Sequence, residues 1–125
     1  MSIRLSEDAF AEVVWEALVD VPPEFEQYME ELAVDVEDRP DRGTLEELEV
    51  ENGSVLLGLY RGVPLGRRSV GHMYRMPERI VLYQRNLEEV CRTRAELIDQ
   101  IRKTTFHEVG HHFGMSEGQL RRLGY

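Results

Sequence analysis

The chain has 125 residues, enough for one domain with a single core over residues 1–125 but too few for two lobes of ordinary size. Its formal net charge of −9, from 24 acidic against 15 basic residues, disfavours a nucleic-acid partner because phosphate binding requires a basic surface. No apolar run approaches the about 20 residues of a membrane span, and acidic residues precede any apolar segment, the wrong order for a secretory signal. We therefore expect a soluble, cytoplasmic protein with no membrane partner.

The first elements are predicted to be two helices and a strand. Ser6 is a good N-cap, and apolar residues follow it at helical spacing, namely Phe10, Val13, Val14, Ala17 and Leu18. Pro22 and Pro23 end this helix and begin a second, short one. Apolar and acidic residues then alternate, which predicts a strand over Leu32 to Glu37.

Two more strands are predicted in the middle of the chain, each after a loop. Residues 38–52 are polar and rich in turn formers, and residues 62–77 contain repeated glycine and proline breaks. The strands are predicted over 55–60, where Gly58 would permit close approach of another group, and over 79–84. We expect these strands to be neighbours, and one of them to be the edge strand that binds an extended peptide by strand addition.

Several isolated residues of this region have more than one interpretation. Arginines at positions 61, 67, 68, 75 and 79 form either a solvated loop or a rim that attracts anionic or C-terminal peptide groups. His72 could orient an oxyanion, although we favour no role for it. Cys91 is the only cysteine, so no intrachain disulfide can form, and we expect it to be buried.

The last third of the chain is predicted to be mostly helical. A short helical turn follows Asn86, and a long helix N-capped by Thr93 runs to Phe113. Gly114 is placed to end this helix at its C-cap. Ser116 then opens a final short helix, with Gln119 completing a capping box.

The long helix carries the sequence HEVGH, from His107 to His111. Histidines four residues apart project from nearly the same side of a helix, so both imidazoles can bind one ion. A catalytic zinc ion takes three protein ligands and leaves a fourth position for water. Glu108 lies at the edge of the same face, where its carboxylate can act as the general base for that water. The motif therefore indicates metal-assisted hydrolysis of a peptide or amide bond.

Glu117 is the predicted third ligand. A glycine at 114 can adopt the left-handed conformation that turns the chain back beneath the ion. In the alternative interpretation, Glu117 only occupies the first turn of the last helix, where the helix dipole favours an acid. The bare H-E-x-x-H pattern arises by chance far more often than its extension through Gly114 and Glu117, so the extension carries most of the specificity.

The other side chains of the long helix divide into two faces. Those expected to pack lie roughly opposite the histidines, namely Ile98, Ile101, Phe106, Val109 and Phe113. Those beside the histidines are Gln100, Lys103 and Gly110. Thr104 is either a hydrogen-bonding partner behind a ligand or a plain surface residue, and His112 is expected to pack or to support a ligand.

At these residues the chain resembles the zincin metallopeptidases, and more closely a small bacterial zincin-like family. The likeness covers four ordered blocks: VEDRP (36–40), LLGLYRGVPL (56–65), PERIVLYQRNLE (77–88) and TTFHEVGHHFGMSEGQL (104–120). The resemblance implies an α+β, minimal zincin-like fold, in which helices back a small mixed sheet and the H-E-x-x-H helix lies under a cleft bordered by an edge strand. It also implies one Zn²⁺ held by His107, His111 and Glu117. A histidine in place of Glu117 would have suggested the metzincin class.

The chain departs from the larger zincins after Glu117. Those proteins carry a C-terminal subdomain that forms the lower wall of the cleft and stabilises the tetrahedral intermediate, whereas eight residues follow Glu117 here. We therefore expect a slow or narrow-specificity peptidase, or a site completed by a partner chain, a second copy or the loop 61–77. Tyr74, Tyr83 and Tyr125 are candidates for the missing oxyanion donor.

Three functions are open on the sequence alone. The leading hypothesis is a zinc-dependent peptidase that acts on short peptides or unfolded protein. The second is a structural or regulatory metal-binding module, in which the ion holds the end of the chain without turnover. The third is an interaction module whose motif binds no ion.

Overall fold

The structure, a computed structural model, describes residues 1–48, 55–62 and 78–125. Its architecture is α+β, with helices packed on a small mixed sheet. The predictions for His72, Tyr74 and the arginines at 67, 68 and 75 lie outside the described residues, as does most of the loop 61–77. None of the helices in the described ranges combines the length and the apolar character that crossing a bilayer requires.

The described elements follow each other in this order: α1 (Glu7–Leu18), a 3₁₀ turn (Pro23–Phe25), α2 (Glu26–Met29), β1 (Ala33–Glu37), α3 (Arg42–Glu47), β2 (Gly58–Arg61), β3 (Arg79–Tyr83), α4 (Gln84–Glu89), α5 (Arg94–His112) and α6 (Glu117–Leu123). The helix starts agree with the predicted caps. The Ser6 hydroxyl accepts a hydrogen bond from the Ala9 N–H, and both Thr93 and Ser116 form complete capping boxes.

Helix α3 contradicts the prediction of an uninterrupted loop over 38–52. The Asp41 carboxylate accepts a hydrogen bond from the Thr44 N–H at 2.7 Å and so caps the helix, and this bond lowers the pKa of Asp41. Thr44 is the one residue of α3 that is buried, and its hydroxyl accepts a hydrogen bond from Arg61 at 2.8 Å. A helix that buries a single polar residue leaves no apolar periodicity in the sequence, which is why it was missed.

The sheet has the strand order β1-β3-β2, with β1 parallel and β2 antiparallel to β3. The prediction that 55–60 and 79–84 are neighbours is confirmed. The option that 79–84 is the edge strand is wrong, because β1 and β2 flank β3 on both sides. Among the described residues, β2 is therefore the edge strand on the side where α5 lies. β3 also ends at Tyr83, so α4 begins at Gln84, before the helical turn predicted after Asn86.

The main core lies between the sheet and the pair of helices α1 and α5. Ile80 and Leu82 of β3 point into it, together with Phe10, Val13, Leu97 and Ile101. Cys91 is buried in the same core, and burial raises its pKa. A second cluster joins α5 to the 3₁₀ turn and α6 through Phe25, Phe106, Val109 and Leu120. The two clusters hold α5 along most of its length and fix the direction of its remaining face.

Candidate metal centre

The end of α5 is a tight turn that reverses the chain. Gly114 has φ +90°, its N–H donates to the His111 carbonyl at 3.1 Å, and the Met115 N–H donates to the Gly110 carbonyl at 2.8 Å. This pair of bonds is the Schellman arrangement, which requires a left-handed residue where Gly114 stands. The predicted role of Gly114 is therefore confirmed, and the turn brings Ser116 and α6 back against α5.

Helix α6 is seated on α5 through a glycine contact. Leu120 is fully buried, and a Cβ placed on Gly110 would lie 2.5 Å from Leu120 Cδ2. The sequence predicts Gly110 beside the histidines, and the structure buries it under α6. Its missing side chain lets the two helices approach closely enough for the first residue of α6 to reach the histidines.

The two histidines and Glu117 converge on one point. The Nε2 atoms of His107 and His111 are 3.0 Å apart, and Glu117 Oε1 lies 2.5 Å from His111 Nε2 and 3.3 Å from His107 Nε2. No other group of three such residues converges in this way in the described ranges. Glu117 is the first residue of α6, as the alternative interpretation expects, and its carboxylate also meets the histidines, so its role as the third ligand stays a prediction. The hydrogen bond to His111 lowers the pKa of Glu117.

These three side chains fit a zinc ion. Two imidazole nitrogens and one carboxylate oxygen are among the donors that Zn²⁺ prefers. Tetrahedral coordination with bonds of about 2.0–2.1 Å places ligand atoms roughly 3.3 Å apart. The spacings between the Nε2 and Oε1 atoms here, 2.5 to 3.3 Å, need only a small opening to reach that value.

Glu108 lies next to the cluster, half-buried between α5 and β2. Burial raises the pKa of its carboxyl group above the ordinary value. A hydrogen bond from the Tyr60 main-chain N–H and the charges of His107 and His111 act in the opposite direction, but burial prevails. A raised carboxyl pKa suits a general base that must exchange protons near neutral pH.

A cleft of ≈ 390 Å³ runs along α5 up to His107 and Glu108. Its strand side carries Leu56, Leu57 and Gly58, and its helix side carries Gln100, Lys103 and Thr104. The predicted close approach at Gly58 is confirmed, since a Cβ there would lie 2.7 Å from Thr104 Cγ2. The Thr104 hydroxyl accepts a hydrogen bond from Gln100 at 3.2 Å, not from either histidine of the cluster.

The edge of β2 faces this cleft with main-chain groups that are not used by the sheet. The Tyr83 N–H donates to the Leu57 carbonyl at 3.0 Å, so these two residues form a hydrogen-bonded pair of the antiparallel ladder. Such pairs alternate along the ladder, so the main-chain groups of Gly58 and Tyr60 point away from β3. The position of β2 thus agrees with a strand that borders a cleft.

Comparison with known proteins agrees with the motif. A family model described as zincin-like metallopeptidase matches residues 29–125. The chain belongs to this zincin-like metallopeptidase family. Among solved structures, this family member is similar to a conserved hypothetical protein from Thermus thermophilus, with 24% identity and a TM-score of 0.57 over 86% of this chain and 94% of that one. That similarity supports the fold alone, and no curated protein matches the chain significantly.

Membership of the zincin-like family implies a metal ion, and the chain supplies a matching cluster.

The hydroxyl groups of two predicted oxyanion donors, Tyr83 and Tyr125, each interact with an arginine. Burial raises the pKa of Tyr83, and its hydroxyl interacts with Arg61, so it is engaged away from the cluster. The Tyr125 hydroxyl lies 3.3 Å from Arg102 Nη2. Completion of the cleft by loop 61–77 stays a prediction, since residues 63–77 are outside the described ranges, and completion by a second copy or a partner chain stays one too.

Sequence reasoning missed Tyr60 beside the site of this zincin-like protein, and it considered Tyr125 only as an oxyanion donor. Tyr60 holds Glu108 through its main chain, stacks its ring on His112 at 3.8 Å, and donates its hydroxyl to Glu78 at 2.9 Å. The packing role predicted for His112 agrees with this stack, whereas Phe113, predicted to pack opposite the histidines, is 37% exposed. The second residue, Tyr125, approaches His107 through its main-chain oxygen at 3.0 Å. Neither contact has a local sequence signal, because each joins separate elements.

Proposed function

We propose that the protein is a zinc-dependent peptidase in which Glu108 is the general base. The observation that carries the proposal is the convergence of His107, His111 and Glu117, whose ligand atoms lie within 4.8 Å of one another beside Glu108 and the cleft. Such a set gives three protein ligands and leaves room for solvent, as catalytic zinc sites do. The chemistry that zinc supplies in these sites is activation of water and polarisation of a carbonyl group.

The surroundings of Glu108 support its role. Its carboxyl group is half-buried and its pKa is raised by burial, so it can accept a proton from water and still hold it long enough to pass it on. The Tyr60 main-chain N–H donates a hydrogen bond to this carboxylate. His107 and His111, one turn apart on α5, and Glu117 on α6 would hold the ion, and Glu108 would serve the water beside it.

The substrate that fits the cleft is an extended peptide. The outward main-chain groups of Gly58 offer hydrogen bonds of the kind that add a strand to a sheet edge. Leu56 and Leu57 give that wall apolar character, which suits side chains of an unfolded segment. We therefore expect short peptides or unfolded protein to be cleaved in preference to folded protein.

The decisive experiment replaces the proposed base and leaves the ligands in place. We expect Glu108→Gln to retain one zinc ion per chain by elemental analysis while cleavage of a fluorogenic peptide library falls about 10²- to 10⁴-fold. Glu89→Gln, an exposed acid on α4, is the control and should cleave as the wild type does. Cleavage by Glu108→Gln at the wild-type rate would remove Glu108 from the mechanism.

A second candidate function is a structural or regulatory metal site. The ligands come from both α5 and α6, so an ion would tie the two helices together whether or not turnover occurs. In that case removing the metal with a chelator lowers the thermal midpoint strongly, and the wild type cuts no peptide of the library. Cleavage that depends on Glu108 excludes this candidate as the whole function.

A further inference from the structure

Helix α6 contacts the candidate metal centre from both of its ends. At its N-terminus, Glu117 supplies the carboxylate that meets His111. Just beyond its C-terminus, the main-chain oxygen of Tyr125 lies 3.0 Å from Nδ1 of His107. Leu120, midway between them, is locked against Gly110 of α5. A single short helix thus approaches two of the three proposed ligand residues.

The contact at Nδ1 determines which nitrogen of His107 is free. A main-chain oxygen can only accept a hydrogen bond, so Nδ1 must carry the proton. In the neutral imidazole the other nitrogen, Nε2, then carries the lone pair, and it faces His111 and Glu117. We propose that Tyr125 is a positioning residue, whose main-chain oxygen holds His107 in the tautomer and ring orientation that metal binding requires.

The position of the Tyr125 oxygen depends on a turn at the end of α6. Gly124 has φ +94°, its N–H donates to the Arg121 carbonyl at 3.1 Å, and the Tyr125 N–H donates to the Leu120 carbonyl at 2.8 Å. A Cβ at Gly124 would meet no atom within 4 Å. A substitution there therefore acts on the backbone conformation alone, because residues with side chains resist a positive φ.

The ring of Tyr125 anchors that turn to the rest of the molecule. It packs edge-on against Phe25 and Phe106, with ring centroids 5.7 and 5.1 Å apart. Its hydroxyl lies 3.3 Å from Arg102 Nη2. Arg102 in turn donates to the Ala17 and Asp20 carbonyls at the end of α1, both at 2.7 Å. His107 is thus linked to the end of α1 through Tyr125 and Arg102. These contacts hold the His107 ring in the absence of an ion.

The proposal rests on the proposed function only in assuming that His107 binds metal through Nε2. Two variants disturb the Tyr125 oxygen by different routes. Tyr125→Ala removes the ring that anchors it, and Gly124→Val removes the left-handed turn. We expect each to weaken zinc binding about 10- to 100-fold, measured by competition with a chelator.

Two further variants are controls. Gly118→Ala, inside α6, has ordinary backbone geometry and room for the added methyl group. Tyr28→Ala removes a tyrosine that packs on the same cluster and stacks on Phe113. Both should bind zinc with nearly wild-type affinity, and an equal loss of affinity in Tyr28→Ala would show that only general loosening is measured.

A second readout separates positioning from general stability and does not need cleavage. Imidazole ¹⁵N spectra of the metal-free protein should show Nδ1-protonated His107 in the wild type and a mixture of tautomers in Tyr125→Ala and Gly124→Val, with His111 unchanged. A wild type that binds zinc and cleaves no peptide defeats the proposed function and leaves this proposal standing. Retention of the wild-type His107 tautomer in both variants overturns the proposal, whatever the zinc affinity is.

Discussion

Two glutamates on neighbouring helices, Glu88 and Glu108, occupy opposite kinds of environment. The Glu88 side chain is only 3% exposed and accepts hydrogen bonds from the Leu5 N–H at 2.8 Å, Gln84 Nε2 at 3.2 Å and Arg85 Nη1 at 2.7 Å. Glu108 is also withdrawn from water, but its pKa is raised by burial, so its donors do not offset the cost. One carboxylate is fully partnered, and the other is not.

The difference follows from what each carboxylate does. A buried charge lowers stability unless it is paired and hydrogen-bonded. Glu88 meets that condition and ties the N-terminal segment at Leu5 to α4, so its negative charge is structural. Glu108 faces a cleft, and its contacts offset only part of the cost of burying its charge. Its pKa therefore stays raised, which allows it to take up a proton. Under-partnering is the feature that separates a candidate base from a structural acid here.

The largest expected effect comes from removing the partnered carboxylate. Glu88→Ala leaves Arg85 and the Leu5 N–H without their acceptor, and we expect the free energy of unfolding in urea to fall by about 3–5 kcal/mol. Its neighbour Glu89 pairs with Arg39 at the exposed surface, so Glu89→Ala should cost no more than about 1 kcal/mol. Equal losses of unfolding free energy in the two variants would mean that the buried contacts of Glu88 stabilise the fold no more than an exposed ion pair does.

An intermediate effect on stability is expected when Glu88 loses one of its hydrogen-bond donors and so becomes under-partnered like Glu108. Gln84→Glu replaces a donor to Glu88 with a second buried carboxylate, which should cost about 2 kcal/mol at pH 7. Repulsion raises the pKa of the pair in the folded state above its unfolded value, so the folded state binds more protons. Relative to wild type, stability should therefore recover as the pH falls through that raised pKa.

The control for this variant is Gln84→Met, which removes the donor without adding a charge. Its loss of unfolding free energy should stay nearly constant between pH 4 and pH 7 on urea titration. If the loss of unfolding free energy in Gln84→Glu is also independent of pH, the missing donor is responsible and not the added charge.

The candidate metal site could be predicted from the sequence because its geometry is local. His107 and His111 are brought together by the helix repeat, and Glu117 by a glycine turn and a capping box a few residues away. Local hydrogen bonds decide each of these features, and local sequence records them. The adjacent strands were predicted from local patterns too, whereas the fold class followed from the resemblance to the zincin-like family.

The remaining features depend on contacts between distant segments. The central position of β3 follows from a parallel pairing with β1, for which the sequence has no marker. Tyr60 and Tyr125 contact Glu108 and His107 through main-chain groups, which every residue possesses, so residue type could not reveal these contacts. Helix α3 buries only Thr44, and its polar sequence reads as a loop. The strand order, the two main-chain contacts and helix α3 all depend on tertiary packing, which local sequence patterns do not record.

The smallest expected effect is a gain in stability on removing the under-partnered carboxylate. In metal-free protein, burial raises the folded pKa of Glu108 above its unfolded value, so wild-type stability falls as the pH rises through that interval. Glutamine does not titrate. Glu108→Gln should therefore unfold in urea with about 0.5–1 kcal/mol more free energy than wild type at pH 7, and the gain should vanish below the unfolded pKa of about 4.3. A loss at pH 7 would show that Glu108 is satisfied in the same way as Glu88, and the contrast between them would disappear.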